Sequence, residues 1–454
     1  METKTGMKEN KMGVMPIHKL LISMSLPMMI SMLVLGLYNI VDSVFVAMIS
    51  EEALTAVSLA YPVQLLAIAL GGGTCVGVNA VLSKALGEKN YKKANEAASN
   101  GIFLSFMSYV LFLFIGLFLV VPFYKSQTTD PIILEAGYEY LTIVCCFSIG
   151  LFTQFIFERL LQSTGRTILT MVSQALGAII NIILDPILIF GLLGFPALGV
   201  RGAAIATVTG QVIAGCVCIF LNHKWNPEIQ VSFKGFKPDK AMIATIYKVG
   251  VPSIIMQAIG SVMVYGMNAI LMVFTATATA VFGVYFKLQS FIFMPVFGLT
   301  NAIIPIVAFN YGARDKKRIL DTIKWGLVIA ISIMAAGTLV FQFGTGMLLN
   351  LFSPSEQMIE IGVPALRTIS LGFVIAAYCI VVGTLFQALG NGVYSMITSI
   401  VRQLVVLLPV AFLLSLTGNL SLVWFAFPIA EVTCLFITTY FLYRINKNII
   451  SKIE

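Results

Sequence analysis

The chain has 454 residues, 59% of them hydrophobic and only 11% charged, with a mean hydropathy of +0.96. Soluble domains carry about 25% charged residues, so too little polar side chain is present to face water. Soluble enzymes, nucleic-acid binders and disordered chains are excluded, and the formal charge of +8 fits the basic cytoplasmic loops of a membrane protein.

Outer-membrane barrel strands alternate apolar and polar residues, whereas residues 110–121 are apolar on every side, which predicts helices. Polar or turn-rich breaks leave twelve apolar segments, near 17–48, 53–83, 94–124, 131–158, 166–191, 198–222, 241–274, 279–309, 318–348, 357–387, 393–416 and 420–444. Each is long enough to span a bilayer. No small-residue cleavage site follows the lysines at the start, so the first segment is expected to be a retained span rather than a signal. The long polar stretch 223–240 reads as a cytoplasmic linker between an N-terminal lobe, 1–222, and a C-terminal lobe, 241–454. With the N-terminus inside, all but five of the 28 Lys and Arg fall in cytoplasmic tails and loops. The exceptions are Lys125, Arg201 and Arg367 outside, and Lys287 and Arg402 within the membrane. This asymmetry predicts a multi-pass protein of the cytoplasmic membrane with both termini cytoplasmic.

The two halves repeat. Gly87-Glu-Lys-Asn-Tyr-Lys-Lys93 matches Gly312-Ala-Arg-Asp-Lys-Lys-Arg318. The offset that carries Gly87 onto Gly312 also carries Pro27 onto Pro252, Gln162 onto Gln387, Gly165 onto Gly390 and Met171 onto Met396. Six helices per copy is an even number, so both copies enter the membrane in the same sense. The expected fold is all-α, twelve transmembrane helices in two six-helix lobes related by a pseudo-two-fold along the membrane normal, with a substrate path between them.

Polar residues inside the apolar segments carry the functional reading, because a charge at the bilayer centre costs about 2.5–3.5 kcal/mol on insertion scales. Asp42, Asp185 and Thr207 each lie six to eight residues from an outer loop, at one depth of roughly 9–12 Å below the outer surface. Tyr38 and Asp42 share a helix face at i and i+4, as do Asn181 and Asp185. If the first, fifth and sixth helices meet, two carboxylates, an amide, a phenol and a hydroxyl converge. Two carboxylates in low dielectric require a proton or a hard cation between them, so the group reads as a site that loads and unloads H⁺ or Na⁺. Polar glue between helices is the alternative.

In the C-terminal half Glu431 and Arg402 lie near mid-depth and are expected to pair with each other, which is a structural role. Lys287 has no evident partner and either lines a cavity or pairs with Glu431. Proline removes a helix hydrogen bond, and Pro27 lies in the helix of Asp42, where a bend could link ion loading to movement; a static kink is equally consistent. Gly71-Gly-Gly73 and Gly77 read as a close helix contact. The 21 methionines suit an adaptable cavity, although membrane packing explains most of them. The seven cysteines show no metal-ligand spacing and read as reduced packing residues. No phosphate-binding loop is present, and His18 and His223 sit at or near helix ends, so energy is expected from an ion gradient or the substrate rather than from ATP or a cofactor.

The segments Ser25-Leu-Pro27, 38–46, Asn181-Ile-Ile-Leu-Asp-Pro186, Lys287-Leu-Gln-Ser, Met294-Pro-Val-Phe-Gly298, Asn310-Tyr-Gly-Ala313, Gln387-Ala-Leu-Gly390 and Val401-Arg-Gln403 together resemble the multidrug and toxic compound extrusion (MATE) family, prokaryotic type. The resemblance spans essentially the whole chain. It implies a two-lobed, twelve-helix antiporter that exports amphipathic, often cationic, organic compounds in exchange for H⁺ or Na⁺ by alternating access, without a cofactor, and that is expected to act as a monomer. It also implies a cation site in the N-terminal lobe, onto which Tyr38, Asp42, Asn181, Asp185 and Thr207 map. The acidic residues some members carry in the seventh, eighth or tenth helices are missing from those core positions. A lipid-linked oligosaccharide flippase of related design is the runner-up, for which only Lys287 and Arg402 would supply cavity charge. An intramembrane enzyme comes last, since no histidine lies within the membrane segments.

Overall fold

A computed structural model describes residues 9–231, 236–352 and 354–453; the start of the N-terminal tail, 1–8, and residues 232–235 of the expected linker lie outside them. Helix is the one regular secondary structure among the described residues. Ten helices are long and apolar enough to cross a membrane, and two bent helix pairs bring the number to twelve. In chain order they are α1 (Ile17–Ala47), α2 (Glu51–Gly87), α3 (Tyr91–Gln127), α4 (Pro131–Cys146 and Ile149–Ser163), α5 (Thr167–Phe190) and α6 (Val200–Trp225). After the linker come α7 (Lys240–Met272), α8 (Ala276–Gly312), α9 (Lys316–Phe343), α10 (Glu356–Ser370 and Phe373–Ala388), α11 (Gly392–Ser415) and α12 (Leu420–Lys452).

Local chemistry sets the ends, and it does so twice. Ser50 Oγ accepts from Ala53 N at the start of α2 (3.1 Å), and Thr275 Oγ1 accepts from Ala278 N at the start of α8 (3.0 Å). Each cap satisfies a backbone donor the helix leaves open. Asn90 and Asp315 cap α3 and α9 in the same way. The turns between these helices hold Lys89 at φ 54 and Arg314 at φ 59, and the turns after α4 and α10 hold Gly165 at φ 84 and Gly390 at φ 81. A left-handed backbone costs a non-glycine residue roughly 1–2 kcal/mol, so its recurrence at Lys89 and Arg314 marks one turn used twice. α4 and α10 are bent by 42° and 45°. The paired caps and paired turn residues are all related by the offset of the sequence repeat.

The chain packs as two compact units, Ile30–Ile254 and Met1–Met29 with Ile255–Glu454. The lobes expected from sequence, 1–222 and 241–454, therefore exchange the first parts of α1 and α7 in packing. Both changes of partner fall just after a proline inside the helix, Pro27 in α1 and Pro252 in α7, where the backbone ladder is already interrupted. In the first unit a Cβ on Gly73 would lie 2.7 Å from Ile254 N, and one on Gly77 would overlap the Ile246 carbonyl. The glycines of α2 thus seat the start of α7, the close contact expected of them. In the second unit a Cβ on Gly298 of α8 would lie 2.6 Å from Met29 Cα, so α8 seats the start of α1 in the same manner. Between α6 and α7 the linker is held to α3, with Asn95 Oδ1 accepting from Gln230 N (2.7 Å) and Asn100 Oδ1 accepting from Asp239 N (3.0 Å).

Candidate functional site: a polar cavity in the unit 30–254

The contact of α5 with α6 builds one wall of the site. A Cβ on Gly210 would lie 2.8 Å from the Gly177 carbonyl oxygen, and one on Gly202 would lie 2.5 Å from that of Leu188. Only hydrogen at these positions lets the two backbones approach so closely. The approach brings Asn181 of α5 to Thr207 of α6. The Asn181 amide is satisfied when its Nδ2 donates to Asp185 Oδ2 (3.2 Å) while its Oδ1 accepts from Thr207 Oγ1 (3.3 Å) and Thr207 N (3.1 Å). Asp185 is fully buried, and its carboxyl faces that of Asp42 on α1 closely enough for one proton to bridge them. Tyr38, one turn before Asp42, lies within electrostatic reach of both carboxyls.

Four of the five residues, Tyr38, Asp42, Asn181 and Thr207, line a cavity of about 520 Å³, and Asp185 sits behind them. Apart from their mutual contact, Asp42 Oδ1 and Asp185 Oδ1 are buried without a donor among the described residues. A buried acceptor without a donor is costly, and two carboxylates facing each other add repulsion. A proton shared between them, or a cation bound by both, relieves both costs at once.

The cavity has a second polar region that the sequence reading missed. Glu158, on the second arm of α4, is buried, and its Oε1 accepts from Gln154 Nε2 (2.8 Å) while its Oε2 accepts from Gln174 Nε2 (2.6 Å). Both glutamines line the cavity. Reading the fourth segment as ending at 158 made Glu158 a boundary residue, but the helix continues to Ser163. The i, i+4 spacing of Gln154 and Glu158 in an apolar segment was the available signal. Gln64 Nε2 donates to Tyr140 Oη (3.0 Å) elsewhere on the same wall.

The C-terminal candidates assemble differently. Arg402 lies in a π-helical stretch of α11, Val401–Leu407, and its guanidinium pairs with Glu431 of α12 at 3.6 Å. Lys287 is exposed on α8 and forms no ion pair among the described residues. Glu431 also groups with two of the cysteines read as packing residues: ligand atoms of Cys379, Glu431 and Cys434 lie within 4.8 Å of one another. Glu431 and Cys434 share a face of α12 at i, i+3, but Cys379 stands on α10, two spans earlier in the chain, so the sequence gives no spacing that links all three.

The family model MatE matches residues 27–187 and 252–413, two stretches that begin at the paired prolines. The multidrug export protein MepA of Staphylococcus haemolyticus is 31% identical over 442 residues, which cover 95% of each chain. MepA of Staphylococcus aureus is 27% identical over 96% of this chain and 95% of its own. A crystal structure of MATE in complex with MaL6 superposes with a TM-score of 0.91 over 97% of this chain and 99% of that one, at 24% identity. With twelve helices, an internal repeat and both halves matched by one model, the chain belongs to the MATE family of membrane transporters.

Proposed function

We propose that the chain exports amphipathic organic cations from the cytoplasm in exchange for H⁺ or Na⁺. The observation that carries this reading is the Asp42–Asp185 contact, with one oxygen of each carboxyl lacking any other partner, against a cavity large enough for a drug-sized molecule. The names of the staphylococcal relatives support export of varied compounds. The basic residues support a cytoplasmic membrane location with both termini inside.

An ion arriving from outside binds between Asp42 and Asp185, while Tyr38, Asn181 and Thr207 supply neutral oxygens or orient the carboxyls. Ion loading favours the outward-releasing state, and by reciprocity substrate binding must weaken ion binding. The two compact units, 30–254 and 1–29 with 255–454, act as the moving lobes, and the bend at Pro27 is the hinge through which loading moves α1. Arg402 and Glu431 hold α11 to α12, and Lys287, without an ion-pair partner among the described residues, is a further intramembrane charge.

Ethidium efflux from preloaded cells tests this, with wild type and Asp42→Asn matched for membrane expression and with pH and Na⁺ gradients imposed separately. Efflux is expected to follow one gradient and to vanish in the variant. Gradient-driven efflux that persists in Asp42→Asn would remove the carboxyl pair from the coupling step.

A further inference from the structure

The Glu158 network shares the cavity with the aspartate pair but lies toward its other end. Asp42 is five residues before the end of α1 and Glu158 is five before the end of α4. The first and fourth spans run in opposite senses, so these ends face opposite sides of the membrane. Ion loading at Asp42 and Asp185 leaves Glu158 without a task.

A structural role accounts for a buried carboxylate only when its network closes. This one does not. Gln154 and Gln174 both turn Nε2 back to Glu158, which leaves Oε1 of each as the polar atom not committed to the carboxylate. Gln174 Oε1 is buried and has no donor among the described residues, although Gln174 is part of the cavity wall. Glu158 forms no ion pair among the described residues either. Its chain neighbour Arg159 directs Nη1 to Gln162 Oε1 (2.7 Å), as expected for adjacent helix positions that face different directions. The result is a wall where a buried carboxyl stands behind two amides, and the Gln174 carbonyl oxygen beside the cavity is left without a donor. Chained hydrogen bonds of this kind polarise one another, so that carbonyl oxygen gains acceptor strength from the carboxyl behind it.

We propose that Gln154 and Gln174, backed by Glu158, form a subsite for the N–H-bearing cationic end of an exported compound, an amidinium or a primary ammonium. Such a group donates to the unpaired Gln174 carbonyl oxygen and places its charge near Glu158. A phosphonium or quaternary ammonium ion meets the same charge but has no N–H to donate, so the subsite discriminates between cations of equal charge. This reading rests on the proposed export of organic cations and adds the chemistry by which one class of them is preferred.

Glu158→Gln keeps the side-chain shape but carries its own amide N–H. One of the two flanking glutamines must then turn its oxygen to residue 158 and its Nε2 toward the cavity, where a donor meets a donor. Gln174→Met removes the unpaired acceptor and leaves the carboxyl of Glu158 in place. The test uses the purified full-length protein in lipid nanodiscs, with diamidinophenylindole and tetraphenylphosphonium as probes and thermal melting as the folding control. The ratio of diamidine to phosphonium affinity is expected to fall about tenfold or more in both variants, the scale of a hydrogen bond to a charged group. Should Glu158→Gln fail to fold, Gln174→Met carries the test alone. An unchanged ratio overturns the subsite, whether both affinities hold or both fall together, and leaves cation export standing as long as wild type binds the probes. If wild type binds neither probe, the export reading fails and the subsite fails with it.

Discussion

The two halves share caps, turn angles and helix bends at one constant offset, yet they do not share their intramembrane polar side chains. Carried forward by that offset, Tyr38, Asp42, Asn181 and Asp185 fall on Met263, Met267, Val406 and Val410. Carried back, Arg402 falls on Gly177, the residue that lets α5 and α6 touch through their backbones. One half therefore closes its fifth and sixth helices by the absence of side chains, and the other ties α11 to α12 with a charged pair. Backbone-level features fix the fold in both copies, while a handful of side chains on that shared frame decide which copy carries the facing carboxyls and which the buried ion pair.

The largest effect is expected where the second half departs from the first. Replacing Arg402 by Met, or Glu431 by Gln, leaves the other partner of a 3.6 Å pair without its counter-ion and should cost about 3–5 kcal/mol. The double variant Arg402→Met/Glu431→Leu should recover most of that loss, read as the midpoint of thermal or denaturant unfolding. Singles that melt like wild type would show that the pair does not hold α11 to α12.

Alanine at equivalent positions of the two halves gives the next contrast. Asp185→Ala should reduce the gradient-driven concentration of ethidium across the membrane by about five- to 150-fold, the usual range of a coupling free energy. Val410→Ala removes a side chain of the same backbone position and should leave gradient dependence as it was. Equal losses in both would mean that packing at this depth, rather than the carboxyl pair, sets coupling.

Sequence reasoning reached the helices because their signal is local: an apolar run long enough to span, and a basic loop to orient it. It singled out Asp42, Asp185 and Thr207 because depth can be counted from loops, and Tyr38 and Asn181 because each lies one helical turn before one of those aspartates. It did not reach Glu158, since a carboxylate at the edge of an apolar run looks the same whether the helix stops there or continues another turn. It did not group Cys379 with Cys434 either, because only tertiary packing brings α10 and α12 together. The exchange of half-helices after Pro27 and Pro252 was hidden for a related reason. Proline predicts where a ladder is interrupted, but nothing in the local sequence says which neighbour each side of the break will choose.

The glycines make that choice testable with the smallest substitutions. Gly77 and Ala302 occupy the same place in the repeat, yet a Cβ at 77 would overlap the Ile246 carbonyl, while Ala302 already carries one in a fully buried site. Backbone cannot swing aside as a side chain does, so Gly77→Ala must push α2 away from the start of α7, an overpacking cost of about 1–3 kcal/mol. Ala302→Gly should cost less, about 0.5–1 kcal/mol from helix propensity. Gly73→Ala and Gly298→Ala should behave alike, because each meets the start of the other repeat's first helix at nearly the same distance. Melting temperatures of the four purified variants separate these outcomes. Helix propensity alone would make Gly77→Ala more stable than wild type, so the sign of that one shift decides whether α2 and α7 truly touch at the backbone.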